Sequence, residues 1–260
     1  MKVLDLSYHP SDVRSGGWVD LSRKGNHGVP HGGARPFQIA PGVMGFEFDG
    51  SSGYVEVPDN NSLDITGRIT VAAWVRVNRL GVTQQIVGKH DKTWIGHAAG
   101  GYILELNMND RFRFSFSDGI ADTGNAGAWD TVQSDRILSA SDIGKWCYVV
   151  GAWDGTTIQD GMHLYINSVL DNSAQAEQSS ILSNDLPLSC GGYIDSSDTF
   201  KYGLSGVIAQ PIIEDRAWSE AEVRENMYRS PVYRMLRGLP HSQVYIRVPW
   251  KQTQGGIYVP

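Results

Sequence analysis

Ile69-Thr70-Val71-Ala72-Ala73-Trp74-Val75 is the stretch that decides the fold class. Ile69, Val71, Ala73 and Val75 fall on one face of an extended chain, and Thr70, Ala72 and Trp74 on the other. That is the period of two that a pleated strand imposes. The pattern recurs outward from it. Arg111-Phe112-Arg113-Phe114-Ser115-Phe116 sets three Phe against Arg111, Arg113 and Ser115, and Met162 to Asn167 alternates likewise. Trp146 to Trp153 is more continuously apolar, as expected of a central strand buried on both faces. Between these runs lie Asp49-Gly50, Asp118-Gly119, Asp154-Gly155 and Asn172-Ser173, all turn formers. Many short strands punctuated by turns predict an all-β sandwich or barrel.

Composition agrees. Over 260 residues, 41% are hydrophobic and 19% charged, with 30 Gly and 11 Pro, which is turn-rich globular material and neither disordered nor collagenous. One sandwich can use this whole length. The longest apolar runs fall far short of a membrane span, and the opening MKVLDLSYHPSDVRSGG lacks a signal-peptide core, so synthesis in the cytoplasm without membrane insertion is the expectation. Cys147 and Cys190 sit in separate predicted strands and could pair, but a reducing cytoplasm favours buried free thiols. The net charge of −6 is uneven: after Glu225 there are five cations and no acid, leaving −11 on the first 225 residues. Such a tail docks on its own acidic body or on a neighbouring copy. Its cations are spread among apolar residues, which makes a poor nucleic-acid stripe.

One segment predicts a helix. Ser219-Glu220-Ala221-Glu222 has capping-box spacing, Val223 and Met227 stack at i and i+4, and Ser230-Pro231 stops the helix. The tail beyond holds one expected strand, Val244 to Val248.

Several motifs carry a resemblance to a known family. Gly45 to Pro58, GFEFDGSSGYVEVP, resembles the opening strand pair of laminin-G-like domains, members of the concanavalin A-like jelly rolls. Lys145 to Gly155 looks like the family's Trp strand and Asp-Gly turn, Leu164-Tyr165-Ile166-Asn167 its "LYVNG" strand, and Gly206 to Val223 its closing strand and helix. Upstream, Trp18 to Gly28, WVDLSRKGNHG, resembles its "DLSGNGNHG" lead-in. The resemblance implies an antiparallel two-sheet β-sandwich with one short C-terminal helix and an extended tail. The domain would span residues 1–229: a lead-in strand over 1–41, a core over 42–218 and the helix over 219–229. Residues 230–260 would be the docking tail, through Arg234, Arg237, Tyr245, Arg247 and Trp250.

Glucanases of this fold use carboxylates alternating on one strand face, and retaining glycosidases need two about 5 Å apart. Glu47-Phe48-Asp49 is the nearest approach, but Asp49 falls in a turn and the next acid is Glu56. No Ser-His-Asp or zinc-type spacing is visible. A catalytic set is therefore not expected. The family's common ion is calcium, held partly by an Asp of the closing strand. Here Ala209 stands in its place and Gln210 in that of the neighbouring Glu, so calcium is disfavoured and Asp49 is the weak remaining candidate. Sugar binding needs exposed aromatics beside polar side chains. Trp94 and Trp129 lie in polar, Gly-rich loops, and Glu105, Asn107, Arg111 and Arg113 are expected to project from adjoining strands on the non-core face; the alternative is that these loops bury their Trp and the polar face is merely solvated.

In layout the chain resembles laminin-G-like proteins of bacteriophages, which end soon after the helix in an aromatic, basic tail. That resemblance implies a non-catalytic structural or adhesion protein of a virion (head decoration, fibre or tail), partnered by its own copies, other virion proteins or a host surface glycan. A stand-alone lectin-like module and a glycan-cleaving enzyme are the alternatives.

Overall fold

The alternation in the sequence is the alternation the backbone adopts. The computed structural model describes residues 1–6, 17–90, 100–119 and 129–239. Its larger sheet has eight strands. Seven run in the order β13 (Val169–Ala174), β12 (Met162–Ile166), β11 (Trp146–Trp153), β6 (Ile69–Val77), β17 (Ser205–Glu214), β4 (Val43–Asp49) and β3 (Arg35–Ala40), and β1 (Lys2–Asp5) also pairs with β17. The second sheet runs β10 (Asp130–Gln133), β9 (Phe112–Ser117), β8 (Gly101–Leu106), β7 (Gln84–His90), β14 (Leu188–Cys190), β5 (Tyr54–Val57) and β2 (Val29–His31). A small ribbon pairs β15 (Tyr193–Ile194) with β16 (Phe200–Lys201). Every pairing is antiparallel. This is the expected two-layer sandwich.

The core lies between the sheets. Ile69, Val71, Ala73 and Val75 meet Phe112, Phe114, Phe116, Leu104 and Val55 there. Trp153 stacks on Phe116 with centroids 4.3 Å apart. Cys147 and Cys190 are both buried in it as free thiols. The opposite face of β6, with Ala72 and Trp74, belongs to a second apolar layer with Tyr148, Val150, Ala209, Trp218 and Val223. Burial on both faces explains why β6 and β11 read as nearly continuous apolar runs.

Two helices cover that second layer. Helix α1 (Glu220–Arg229) begins with the predicted capping box, Ser219 N–H donating to Glu222 at 2.8 Å, and buries Val223 and Met227. Pro231 ends α1 but does not stop helical structure. It takes the first position of α2 (Pro231–Leu236), where a missing N–H costs nothing. Ser230 caps α2 by accepting from Val232 N–H at 3.1 Å and donates its own hydroxyl to Gln210. Buried Val232, with half-buried Tyr233 and Met235, seats α2 on the domain's apolar layer.

Residues 1–41 supply three strands, β1, β2 and β3, instead of one lead-in strand. The reason lies in β17. Its register slips between Ala209 and Ile212, where Gln210 takes a left-handed φ of 47° and Pro211 has no N–H to donate. Before the bulge β17 pairs with β4, and beyond it with β1. The WVDLSRKGNHG motif then acts as a clasp beside β1. Asp20 accepts from the N–H groups of Asp5, Ser22 and Asn26 at 3.1, 2.9 and 2.9 Å, and Asn26 Nδ2 reaches Val3 O at 2.6 Å.

Candidate functional site

Because Phe112, Phe114 and Phe116 enter the core, Arg113, Ser115 and Ser117 must face away from it, and likewise Ile103 and Glu105 beside Leu104 and Leu106. The register aligns these outward residues into rows across the second sheet. The middle row reads Thr131, Ser115, Ile103, Gly88, Ser189, Glu56. Ser115, Ile103, Gly88 and Ser189 of this floor are buried, and Thr131 and Glu56 at its two ends are half-buried. On one side stand Gln133, Arg113, Glu105 and Gln85, and on the other Ser117, Gly101 and His90.

Polar contacts tie this floor together. Ser115 and Thr131 share a hydroxyl hydrogen bond of 2.9 Å. Gln85 Nε2 donates to Ser189 Oγ at 2.8 Å and Ser189 O at 3.0 Å. With its amide nitrogen so committed, Gln85 presents Oε1 to His90 Nε2 at 2.8 Å, so that imidazole nitrogen carries the hydrogen. Gly88 makes room for this: a Cβ there would sit 2.7 Å from His90 Cδ2.

A path of rings rises from the floor. His90 meets Trp129 edge-on at 5.9 Å and Tyr193 at 4.7 Å, and Tyr193 meets Tyr202 at 5.7 Å. Arg113 donates through Nε at 2.7 Å and through Nη2 to Glu105 Oε1. The Glu105 side chain is fully buried while 30% of Arg113 is exposed, so the pair presents its cationic end outward. Burial, then the charge of Glu105, pushes the Tyr202 hydroxyl pKa above its ordinary value, with Arg113 opposing. Tyr202 therefore enters any contact as a neutral donor.

Three of the sequence candidates fall on this face, Trp129 against His90 on one side of the middle row and the Glu105–Arg113 pair on the other. Asn107 stays on the same face, its Nδ2 donating to Gln133 Oε1 at 3.3 Å, but both it and Arg111 sit where the chain turns, with Asp110 at a φ of 60°. Asn107 Oδ1 accepts from the N–H groups of Asn109 and Arg111 at 2.9 and 3.1 Å, and the Arg111 guanidinium clasps the carbonyls of Ser134 and Asp135. Both build the hairpin. Trp94, Tyr245, Arg247 and Trp250, and the strand expected over Val244 to Val248, lie outside the described residues. Arg234 lies on α2 and Arg237 just beyond its end. His90, Gln85, Tyr193 and Tyr202 were missed. They come from two distant segments, and no spacing within either links them.

The calcium position does not fit the ion. Asp49 Oδ1 accepts from the N–H groups of Ser51, Ser52 and Gly53 at 2.9, 2.9 and 2.8 Å, and Oδ2 from the hydroxyls of Ser51 and Ser52 at 2.9 and 2.8 Å. Burial works against the carboxylate, but these donors outweigh it and hold its pKa below the ordinary range. Ala209 lies fully buried in the apolar layer beneath the helices. Among the described residues no three His, Cys, Asp or Glu side chains come together as a metal site, and no helix is long and apolar enough to cross a membrane.

The family model for the concanavalin A-like lectin/glucanases superfamily, Laminin_G_3, matches residues 49–224. The chain belongs to this family. No curated protein matches it. Among solved structures, the laminin-G-like chain resembles the binding domain of paraclostridial mosquitocidal protein 1, with 17% identity and a TM-score of 0.63 over 86% of this chain and 51% of that one. It also resembles the structure described as "Cell entry of botulinum neurotoxin type C is dependent upon interaction with two ganglioside molecules", with 14% identity and a TM-score of 0.62 over 86% and 50%. The chain thus spans about half the length of these toxin chains. Domain 4 of the arabinanase AbnA of Geobacillus stearothermophilus, solved with arabinotriose, matches at 14% identity and a TM-score of 0.60, over 86% of this chain and 97% of that domain. At such identities the likeness establishes a shared fold.

Proposed function

We propose that this laminin-G-like domain is a non-catalytic glycan-binding module whose saccharide seat is the trough on the outer face of the second sheet. The observation that carries this is the pair of half-buried rings Trp129 and Tyr202, held by buried His90 and Tyr193 between them, beside the half-buried Arg113 and Thr131. Sugars need both: ring faces for their C–H surfaces and fixed polar groups for their hydroxyls. The arabinotriose bound to a domain matched over nearly its whole length supports the same class of ligand. Glu105 is ion-paired, and Glu56, the other acid of these rows, lies three strands away. That is about 14 Å at ordinary strand spacing, beyond the separation of roughly 5–9.5 Å that glycosidase carboxyls use.

Calorimetric titration with arabinotriose and a panel of bacterial surface oligosaccharides tests this. Trp129→Ala and Tyr193→Ala, each shown folded by circular dichroism, should weaken binding tenfold or more. Unchanged affinity in both would refute the trough, and sustained release of reducing ends from the polysaccharide would establish the enzyme alternative.

The wider proposal is that the module serves a virion as a decoration, fibre or tail component, assembling through its basic tail and touching host glycan. The support is the acidic body, the five cations after Glu225, and α2 placing Arg234 and Arg237 at the root of the tail. Removing residues 240–260 should lower the oligomeric state seen by light scattering. An unchanged monomer would count against assembly.

A further inference from the structure

The outer face of the eight-stranded sheet carries a second constellation, beside the helical layer. Its register sets Arg35, Glu47, Val207, Arg76 and Trp146 in one row across five strands. Phe37, two residues along β3, pairs with Gly45, which has no side chain to occupy the space above the sheet. The Arg76 guanidinium lies over the Phe37 ring at 5.0 Å and over the Trp146 ring at 5.7 Å. All three side chains are half-buried.

What sets Arg76 apart is its partners. Of the arginines within described strands, Arg35 donates twice to Glu47, at 2.9 and 2.6 Å, and Arg113 is clamped to Glu105. Arg76 makes no hydrogen bond or ion pair to any described residue, and its Nε is buried without an acceptor. Glu47, the acid of its row, is already engaged by Arg35. Two aromatic rings lie against the cation. They leave its N–H groups without oxygen acceptors. The buried Nε–H is costly in that state, and the terminal N–H groups of this half-buried side chain are the ones open to a partner from outside. A planar pair of oxygens on one carbon matches two adjacent guanidinium N–H groups. The flanking indole and phenyl rings suit the C–H face of a sugar ring carrying such a carboxylate.

We infer that Arg76, Phe37 and Trp146 form a second binding site, for the carboxylate of an acidic saccharide of the uronic-acid type. It lies across the sandwich from the trough, with the full thickness of both sheets between them. It neither depends on the trough nor shares a residue with it.

Nitrogen-15 NMR of arginine side chains reads it directly. Titrating the intact chain with trigalacturonate in 0.15 M salt should shift the Arg76 Nε–H resonance saturably, whereas arabinotriose should leave it in place. Arg76→Lys, which keeps the charge but loses the fork, should weaken trigalacturonate binding tenfold or more in calorimetry, and Arg76→Gln should abolish it. Trp129→Ala should leave it unchanged, which separates this site from the trough. Phe37→Leu, milder on the fold, should weaken it severalfold while thermal unfolding stays near that of the parent. Failure of the Arg76 signal to move at millimolar trigalacturonate would overturn the inference. So would unchanged trigalacturonate affinity in Arg76→Gln, or sodium sulfate binding as tightly as trigalacturonate, which would reveal a bare anion contact and no saccharide site.

Discussion

Replacing Lys89 with Met should destabilise the domain more than most single changes in it. Lys89 stands on β7 opposite Tyr102, pointing inward, and only 2% of its side chain is exposed. Its ammonium lies 2.7 Å from Asp59 Oδ1, 3.1 Å from Asp64 Oδ1, 2.9 Å from Leu186 O and 3.3 Å from Asn184 Oδ1, and also contacts Asn184 O. The cation thus joins the segment after β5 to the one before β14, at one end of the sandwich. Methionine has nearly the same length and no charge, so Lys89→Met removes the cation while filling its channel. What remains is a ring of oxygens with nothing to hold them together. Removing one partner of a buried ion pair costs about 3–5 kcal/mol. For a chain of this size each kcal/mol lowers Tm by roughly 2–4 °C, giving a fall of about 6–20 °C. Urea unfolding followed by tryptophan fluorescence measures the loss as a shift in midpoint at unchanged slope. Adding Asp59→Asn should recover part of it, because the uncompensated charge is then halved. A Lys89→Met protein within 1 kcal/mol of the parent would refute the reasoning, since the ammonium would then be a spectator to packing that holds without it.

Gly88→Ala should cost roughly 1–3 kcal/mol and weaken glycan binding as well, because the added methyl meets His90 Cδ2 at 2.7 Å and displaces the ring that Gln85 holds; unfolding and calorimetry together check both effects. Asp49→Asn should lower stability at pH 7 by on the order of 0.5–1 kcal/mol, after allowance for solvent at this exposed turn. The carboxylate's folded-state pKa is depressed below 3.8, so its contribution is present above that value and is lost as pH falls through the depressed one. The gap between parent and variant should therefore narrow progressively as pH falls below 3.8, read from urea midpoints against pH. Cys147 and Cys190, whose thiol pKa values burial pushes up, should react with a thiol reagent only at the rate of unfolding; fast modification of either in the folded chain would contradict their placement.

Much of the sandwich could be read from residues because strand parity is a local property. The faces of Ile69 to Val75 and of Phe112 to Ser117 follow from the pleat alone, and the capping box at Ser219 and the Asp49 turn follow from the few residues beside them. The trough was legible only in part. Glu105 and Arg113 obey parity, and Asn107 follows it as far as Gln133, but the turn commits Asn107 Oδ1 and the Arg111 guanidinium to backbone groups, which alternation alone does not foretell. His90, Tyr193 and Tyr202 converge through register between β7 and β8 and through the small ribbon, and neither is written in a short window. Lys89 runs against expectation outright, since an inward-facing lysine in a strand makes sense only once Asp59, Asp64 and Asn184 are seen around it. Pro231 shows the same limit at a helix: whether a proline stops a helix or starts the next depends on the chain that follows.

The bulge at Gln210 and Pro211 has a kinetic consequence. Because β17 is flanked by β4 before the kink and by β1 beyond it, the last of the described strands to leave the ribosome completes ladders begun by two of the earlier ones. The nascent polypeptide must keep those edges unmatched throughout synthesis, and such distant pairing makes for slow closure. Until it happens, the open border of β4 is the surface most prone to joining a neighbour's strand.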